Sequence, residues 1–259
     1  MNILCIGDVV AKPGIKALEE KLEYIKNAYE IDFVIANIEN ASGTGITKND
    51  FNKINSLDID AYTLGNHTWG KKDAFEIVKN EKVLRPANFS KGVPGKGIQV
   101  FEKNINGKKE KIAVINLIGR VSMNILSDNP FTKIAQILKR MDEDIKYIIV
   151  DFHTEATAEI KAMGYFLDGK VSAVFGTHTH VQTADEKILK GKTGYISDIG
   201  MTGIEDSVLG MKKDIAIKRF LKCIPERYAP EMKGDMKVSG IVLKLDDNGF
   251  AYSIERINI

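Results

Sequence analysis

Residues 2–37 read NILCIGDVVAKPGIKALEEKLEYIKNAYEIDFVIAN, and the order of patterns in this stretch decides the fold class. It opens on NILCIG, a short apolar run of the kind that forms a buried strand. PGIKALEEKLEYIKNAYE follows with helical periodicity and a proline near its first turn, where a missing N–H is harmless. DFVIAN is a second apolar run of strand length. Strand, helix and strand in this order form a βα unit that joins parallel neighbours.

The alternation continues outward. TKNDFNKINSL begins with Thr47 and Asp50 spaced like a capping box and reads as a helix. DAYTLGNH reads as a third strand and KKDAFEIVKN as a third helix. GIQVFEKNINGKKEKIAVINLIG has the pattern of a hairpin turned at Asn106-Gly107. Helix FTKIAQILKRM, strand KYIIVDFH, helix EATAEIKAMGYF and strand VSAVFGTH come next. EKILKGKTGYISDIG reads as a second hairpin and GMKKDIAIKRFLKC as a helix. KVSGIVLKLDDNGFAYSIERI closes the chain as a hairpin turned at Asn248-Gly249. Parallel units early and hairpins later predict two mixed sheets packed together with helices outside, in one domain spanning 1–259.

Composition narrows the function classes. The chain has 259 residues, 44% of them hydrophobic and 28% charged, enough to bury a sizeable core. Its net charge is only +2, and lysine far outnumbers arginine, so no basic stripe for nucleic acid stands out. Two cysteines exclude a disulfide scaffold: Cys5 sits in an apolar strand, and Cys223 has no neighbouring His or Cys to make it a ligand. The apolar start meets Asp8 at once, unlike a signal peptide, and no apolar run approaches the ~18 residues of a membrane span. These features predict a soluble cytoplasmic protein with no membrane partner. They leave self-association open.

Polar residues gather where the predicted strands end, which is where open α/β sheets place their sites. The first strand ends at Asp8, the second at Glu39 and Asn40, the third at Asn66 and His67. A later strand ends at His153, and VFGTHTHVQTAD (174–185) carries His178 and His180. In a strand, positions i and i+2 share a face, so the H-x-H pair can reach one metal or one each of two neighbours. A solvated polar loop is the other reading. All four histidines of the protein fall in this set, joined by Asp, Glu and two Asn. Imidazole with carboxylate suits first-row metals such as Fe, Mn, Zn or Co rather than oxygen-bound Ca or Mg. The ligands are too many for one ion with an open position. Two ions ~3.5–4 Å apart fit the count and suit in-line displacement at phosphorus.

The series GDVV, NIENAS, GNHTW, DFHTE and GTHTH resembles the calcineurin-like metallophosphoesterases. It departs from their usual form in lacking a first-motif histidine after Asp8, in Glu39-Asn40, and in Thr68 after His67. With LRPANF, DFHTEATAE, GTHTHVQTAD and SDIGMTG, these departures resemble the bacterial YmdB-type phosphodiesterases over essentially the whole chain. Ala11 and Gln182 are small departures at positions that are not ligands. The resemblance implies a four-layer αββα sandwich, the calcineurin-like fold, and hydrolysis of cyclic nucleotide phosphodiesters, chiefly 2′,3′-cyclic ribonucleotides. It implies two transition-metal ions, Fe or Mn foremost with Zn or Co compatible. Asp8, Asn40 and His180 would hold one ion, Asn66, His153 and His178 the other, and Glu39 would bridge them. His67 is then left as the general acid for the departing alkoxide.

Other residues carry two readings each. Asp151 is an orienter of His153 or a plain strand-end polar group, and Asp198 a support for a ligand histidine or a structural carboxylate. Arg120 could meet a phosphate but reads better as surface. Trp69 could stack on a base but reads better as packing, and Glu155 and Glu159 look like a solvated helix face. Two further function classes compete: a phosphomonoesterase on the same core, and a non-enzymatic regulator or RNA-binding protein.

Overall fold

In a computed structural model, which describes every residue except 106, 224, 226 and 228, the chain begins β1 (Asn2–Ile6), β2 (Asp8–Val9), α1 (Ala11–Ala28) and β3 (Phe33–Asn37). It continues through α2 (Lys48–Asn55), β4 (Ala61–Thr63), α3 (Ala74–Ile77), β5 (Val83–Leu84), β6 (Ile98–Ile105), β7 (Lys108–Ile118) and α4 (Pro130–Leu138). Next come β8 (Tyr147–His153), α5 (Thr157–Leu167), β9 (Ala173–Thr177), β10 (Lys187–Ile188), β11 (Gly194–Ile196) and β12 (Met201–Ile204). The last elements are α6 (Lys213–Lys222), β13 (Met236–Lys237), β14 (Ser239–Leu245) and β15 (Ala251–Asn258).

One sheet has the order β15-β14-β1-β3-β4-β5 and the other β10-β11-β9-β8-β7-β6. Both are mixed: in the first, β1, β3, β4 and β5 run parallel and β14 and β15 add antiparallel along one side; in the second, β7, β8, β9 and β11 run parallel with β6 and β10 antiparallel at the edges. Alternation along β1 explains the layering. Ile3 and Cys5 point between the sheets, against Val114, Ile149 and Phe175. Leu4 and Ile6 point outward, under Leu18 and Leu22 of α1 and Ile54 of α2. In β8, Ile149 faces inward while Val150 and Phe152 pack with Ile134 of α4 and Ile160 and Met163 of α5. Strands covered on both faces read as unbroken apolar runs, and each large side chain so buried contributes about 1.5–3 kcal/mol. The result is a four-layer αββα sandwich.

Several expectations shift at their edges. Thr47 does cap α2, its Oγ1 accepting the Asp50 N–H at 3.3 Å, but the Asp50 carboxylate accepts the hydroxyls of Ser42 and Thr47 rather than the Thr47 N–H. The third strand stops at Thr63, short of Asn66, and α3 is only Ala74–Ile77. The first hairpin pairs as expected up to Ile105↔Lys108, while Asn106 of its turn lies outside the described residues. A small third sheet, β13-β12-β2, was not legible, since strands this short show no period. It matters for the site: β12 pairs with β2 through Met201↔Asp8 and so fixes the first carboxylate. No described helix is long and apolar enough to cross a membrane.

Candidate metal centre

The polar strand ends meet at one end of the sandwich, straddling both sheets. Asp8 stands in β2 of the small sheet, Glu39, Asn40, Asn66 and His67 follow strands of the β1–β4 sheet, and His153, His178 and His180 come from the β8–β9 sheet. Donor atoms of Glu39, His153 and His178 all lie within 4.8 Å of one another. His153 Nε2 is 3.1 Å from Glu39 Oε1, 2.8 Å from Asn66 Oδ1 and 3.0 Å from His178 Nδ1. Beside this group, Asn40 Nδ2 lies 3.1 Å from His180 Nε2, 3.3 Å from Asp8 Oδ1 and 3.4 Å from Glu39 Oε1. Turned by 180°, the Asn40 amide would present oxygen to the same point.

The H-x-H reasoning needs correction. β9 ends at Thr177, so His178 and His180 do not share a strand face. Both have positive φ, 114° and 64°, and aim from a loop. Nor is the loop solvated, because both rings are largely covered. Non-glycine residues adopt such backbone at a cost, and it persists only where surroundings enforce it. Asp198 enforces it here. Its Oδ2 accepts both the N–H and the hydroxyl of Thr179, at 2.9 and 2.8 Å, and its Oδ1 accepts the Gly200 N–H at 2.7 Å. Asp198 thus holds the residue between the histidines rather than either ring.

Asp151 orients His153 through an intermediary. Thr177 Oγ1 donates to Asp151 Oδ1 at 2.8 Å and lies 2.9 Å from His153 Nδ1. With its one proton committed to a carboxylate, Thr177 must accept from Nδ1–H, which makes Nε2 the ring nitrogen that faces the donor cluster. Thr63 also donates to Asp151, at 2.5 Å. Sequence reasoning missed Thr177, Thr63 and also Gly65, where an added Cβ would stand 2.3 Å from the His153 ring and 2.5 Å from Glu39 Oε2.

The electrostatics call for a cation. Asp8, Glu39, Asp151 and Asp198 are buried, and among the described residues none of them pairs with Lys or Arg. Burial opposes ionisation of Glu39, yet His153 and His67 outweigh it and hold its pKa down to about 2. Burial likewise opposes a charge on His153, but Glu39, Asp8 and Asp151 raise it to about 9. Burial lifts Asp151 to about 6 and, helped by Asp8, Asp198 to about 8. Such a concentration of buried carboxylate fits dications, which reverse this pKa logic.

His67 lies outside the donor cluster. Its N–H donates to Glu39 Oε2 at 2.9 Å, while its ring lines a cavity of about 410 Å³ above the donors and makes no hydrogen bond among the described residues. Trp69 packs on Phe75 and Phe89, as expected. Arg120 is exposed and its backbone N–H is held by Glu159, consistent with a surface role. The reading of Glu155 and Glu159 as a solvated helix face holds only in part: Glu155 is exposed but precedes α5, and Glu159 is half-buried and engaged. Glu159 also accepts the Thr154 hydroxyl at 3.0 Å, and Glu155 Oε2 stands 3.1 Å from His178 Nε2. The far wall of the cavity, built by α6 and the preceding turn, carried no signal recognised in the sequence.

The chain is 45% identical over 262 residues to the 2′,3′-cyclic-nucleotide 2′-phosphodiesterase of Bacillus subtilis, a match that covers 100% of this chain and 97% of that one. A crystal structure of a hypothetical protein from Thermus thermophilus superposes with a TM-score of 0.89 at 34% identity, covering 100% and 99% of the two chains. That of a phosphatase from Mycoplasma pneumoniae superposes with a TM-score of 0.91 at 30% identity, covering 100% and 93%. The model of the YmdB-like proteins matches residues 4–257, and the chain, as its motif series implied, belongs to that family.

Proposed function

We propose that the chain is a cytoplasmic, metal-dependent phosphodiesterase that opens 2′,3′-cyclic nucleotides at the 2′ oxygen, with residues 1–259 as one catalytic domain. The observation that carries the reading is the convergence of buried donors at the floor of a cavity whose wall holds an unengaged histidine. Identity with the Bacillus subtilis phosphodiesterase supports the substrate class. Asp8, Asn40 and His180 form one donor set, and Asn66, His153 and His178 the other, with Glu39 between them. Two ions held there, Fe or Mn foremost, would neutralise the phosphate and lower the pKa of an attacking water.

The rest is work for the protein's own groups. Thr177 and Asp151 hold the proton of His153 on Nδ1, so that Nε2 is the nitrogen presented to an ion, and Asp198 fixes the loop that aims His178 and His180. As the oxygen of that water, its proton given up to solvent, bonds to phosphorus, the P–O2′ bond breaks and leaves a 3′-phosphate. The 2′ oxygen departs as an alkoxide and takes its proton from His67, the general acid.

Metal analysis with assays on 2′,3′-cyclic AMP, 3′,5′-cyclic AMP and p-nitrophenyl phosphate tests this. The 2′,3′-cyclic diester should be the best substrate. His67→Gln should keep both ions and lower kcat on it by ~10²–10⁴. Its effect should be smaller on bis-p-nitrophenyl phosphate, whose leaving group needs little protonation. Preference for the monoester across several metals would replace this reading with a phosphomonoesterase, and loss of an ion in His67→Gln would make His67 a ligand.

A further inference from the structure

Opposite its polar floor, the cavity has an apolar wall. Leu209, Met211, Ala216 and Phe220 line it, together with Arg219. Phe220 is 78% exposed and Leu209 46%, so large apolar surfaces stand open to water beside a buried polar cluster. The wall is tied to the floor: Leu209, at φ 54°, accepts a hydrogen bond from His180 Nδ1 at 3.1 Å through its carbonyl oxygen. Arg219 is the cation of the lining, and its guanidinium pairs with no described residue. A volume of about 410 Å³ lies within the ~300–1,000 Å³ of small-molecule sites.

A cyclic nucleotide likewise has two unlike ends, an anionic phosphodiester and a flat apolar base. We propose that α6 and the turn before it form the nucleoside-binding wall of this cavity, with Phe220, Leu209 and Met211 against the base and Arg219 on a phosphate oxygen. This rests on the phosphodiesterase reading above. Aromatic faces stack on any base, so the wall confers preference for nucleotides over other cyclic phosphates without reading base identity. Arginine, with its planar set of donors, suits a phosphate oxygen.

The test compares 2′,3′-cyclic AMP with glycerol 1,2-cyclic phosphate, which has the same five-membered ring and no base, on the metal-loaded full chain. Phe220→Ala should raise KM for the nucleotide about tenfold and leave the glycerol compound unchanged. Phe220→Tyr should restore the difference. Arg219→Gln should lower kcat/KM on both by the same factor. Leu221, 79% exposed on the same helix but outside the cavity lining, serves as the control: Leu221→Ala should change neither. Equal effects of Phe220→Ala on the two substrates, no effect, or the same effect from Leu221→Ala overturns the proposal. So does a wild-type enzyme that prefers the glycerol compound. A wild type inert on both cyclic phosphates but active on p-nitrophenyl phosphate fails at the substrate reading itself, and the wall falls with it.

Discussion

The two halves of the donor cluster are built by different means. His153 is the last residue of an interior strand, fully buried, and its Nδ1 is fixed by a chain of side chains, Thr177 and then Asp151, that spans β8 and β9. His180 hangs from a loop, and its Nδ1 is held by the backbone carbonyl of Leu209 in another loop. Both residues of that second contact have positive φ, 64° and 54°. One ring is set by sheet geometry, the other by two strained turns leaning on each other. A strand-borne donor is rigid before any ion arrives, whereas the loop-borne donor depends on the loops keeping their shape.

Four substitutions break or sharpen this contrast. Gly65→Ala should do the most damage, because its Cβ would drive into the His153 ring and Glu39 on the rigid side. Displacements near 1 Å cost on the order of 10²-fold in rate, so kcat/KM should fall by at least that while the circular dichroism spectrum stays native. Thr177→Val should come next: it cuts the tie between His153 and Asp151. On the two-ion reading, titration calorimetry should show one binding step weakened ~10–100-fold and the other unchanged. Weakening of both steps alike would erase the distinction between the halves. Asp198→Asn should act on both, because the loop it clasps carries His178 and His180. Both steps should weaken together, by about tenfold at most, as a neutral acceptor still serves part of the clasp. Ala11→Gly should have the smallest effect and the opposite sign. Ala11 sits at φ 53° and donates its N–H to the Asn40 carbonyl at 2.9 Å, on the loop-borne side. Relief of a strain of roughly 1 kcal/mol should raise Tm by about 2–4 °C with activity unchanged, and a lower Tm would show that the position is not strained.

The donors themselves were legible because each follows an apolar run that stops, and a polar residue just past a buried strand has few places to point. Glu39, Asn40, Asn66 and His153 needed no more than that. The groups that orient them were not. Thr177 and Thr63 lie inside strands, where threonine is an ordinary strand residue and no period marks it as a hydrogen-bonding relay. Gly65 reads as a turn residue, and only the three-dimensional proximity of His153 reveals that its missing side chain makes room. The H-x-H spacing drew attention to two residues that the fold brings to the cluster, but its strand reasoning fails, since both sit at positive φ in the loop beyond β9. Glu155 is exposed as its spacing suggested, but its approach to His178 was hidden because helix spacing says nothing of what faces a residue across a loop. The α6 wall stayed hidden for a related reason: on its own, Ile217, Phe220 and Leu221 look like the apolar stripe of any surface helix.

β1 supplies the first sheet with its third strand, paired on one side to β3 and on the other to β14 through Ile6↔Gly240 and Asn2↔Lys244. During synthesis β1 therefore waits for a partner that follows it by most of this sequence. Until residues 239–245 emerge, β1 keeps a bare, apolar edge of the sort that recruits strands from other chains. The same order delays chemistry, because Asp8 accepts the His178 N–H from 170 residues away, so a nascent chain cannot close its donor cluster early. A nonsense mutation that removes only the final hairpin would spare every donor yet leave this edge open for good, and aggregation rather than a quiet loss of activity would be its signature.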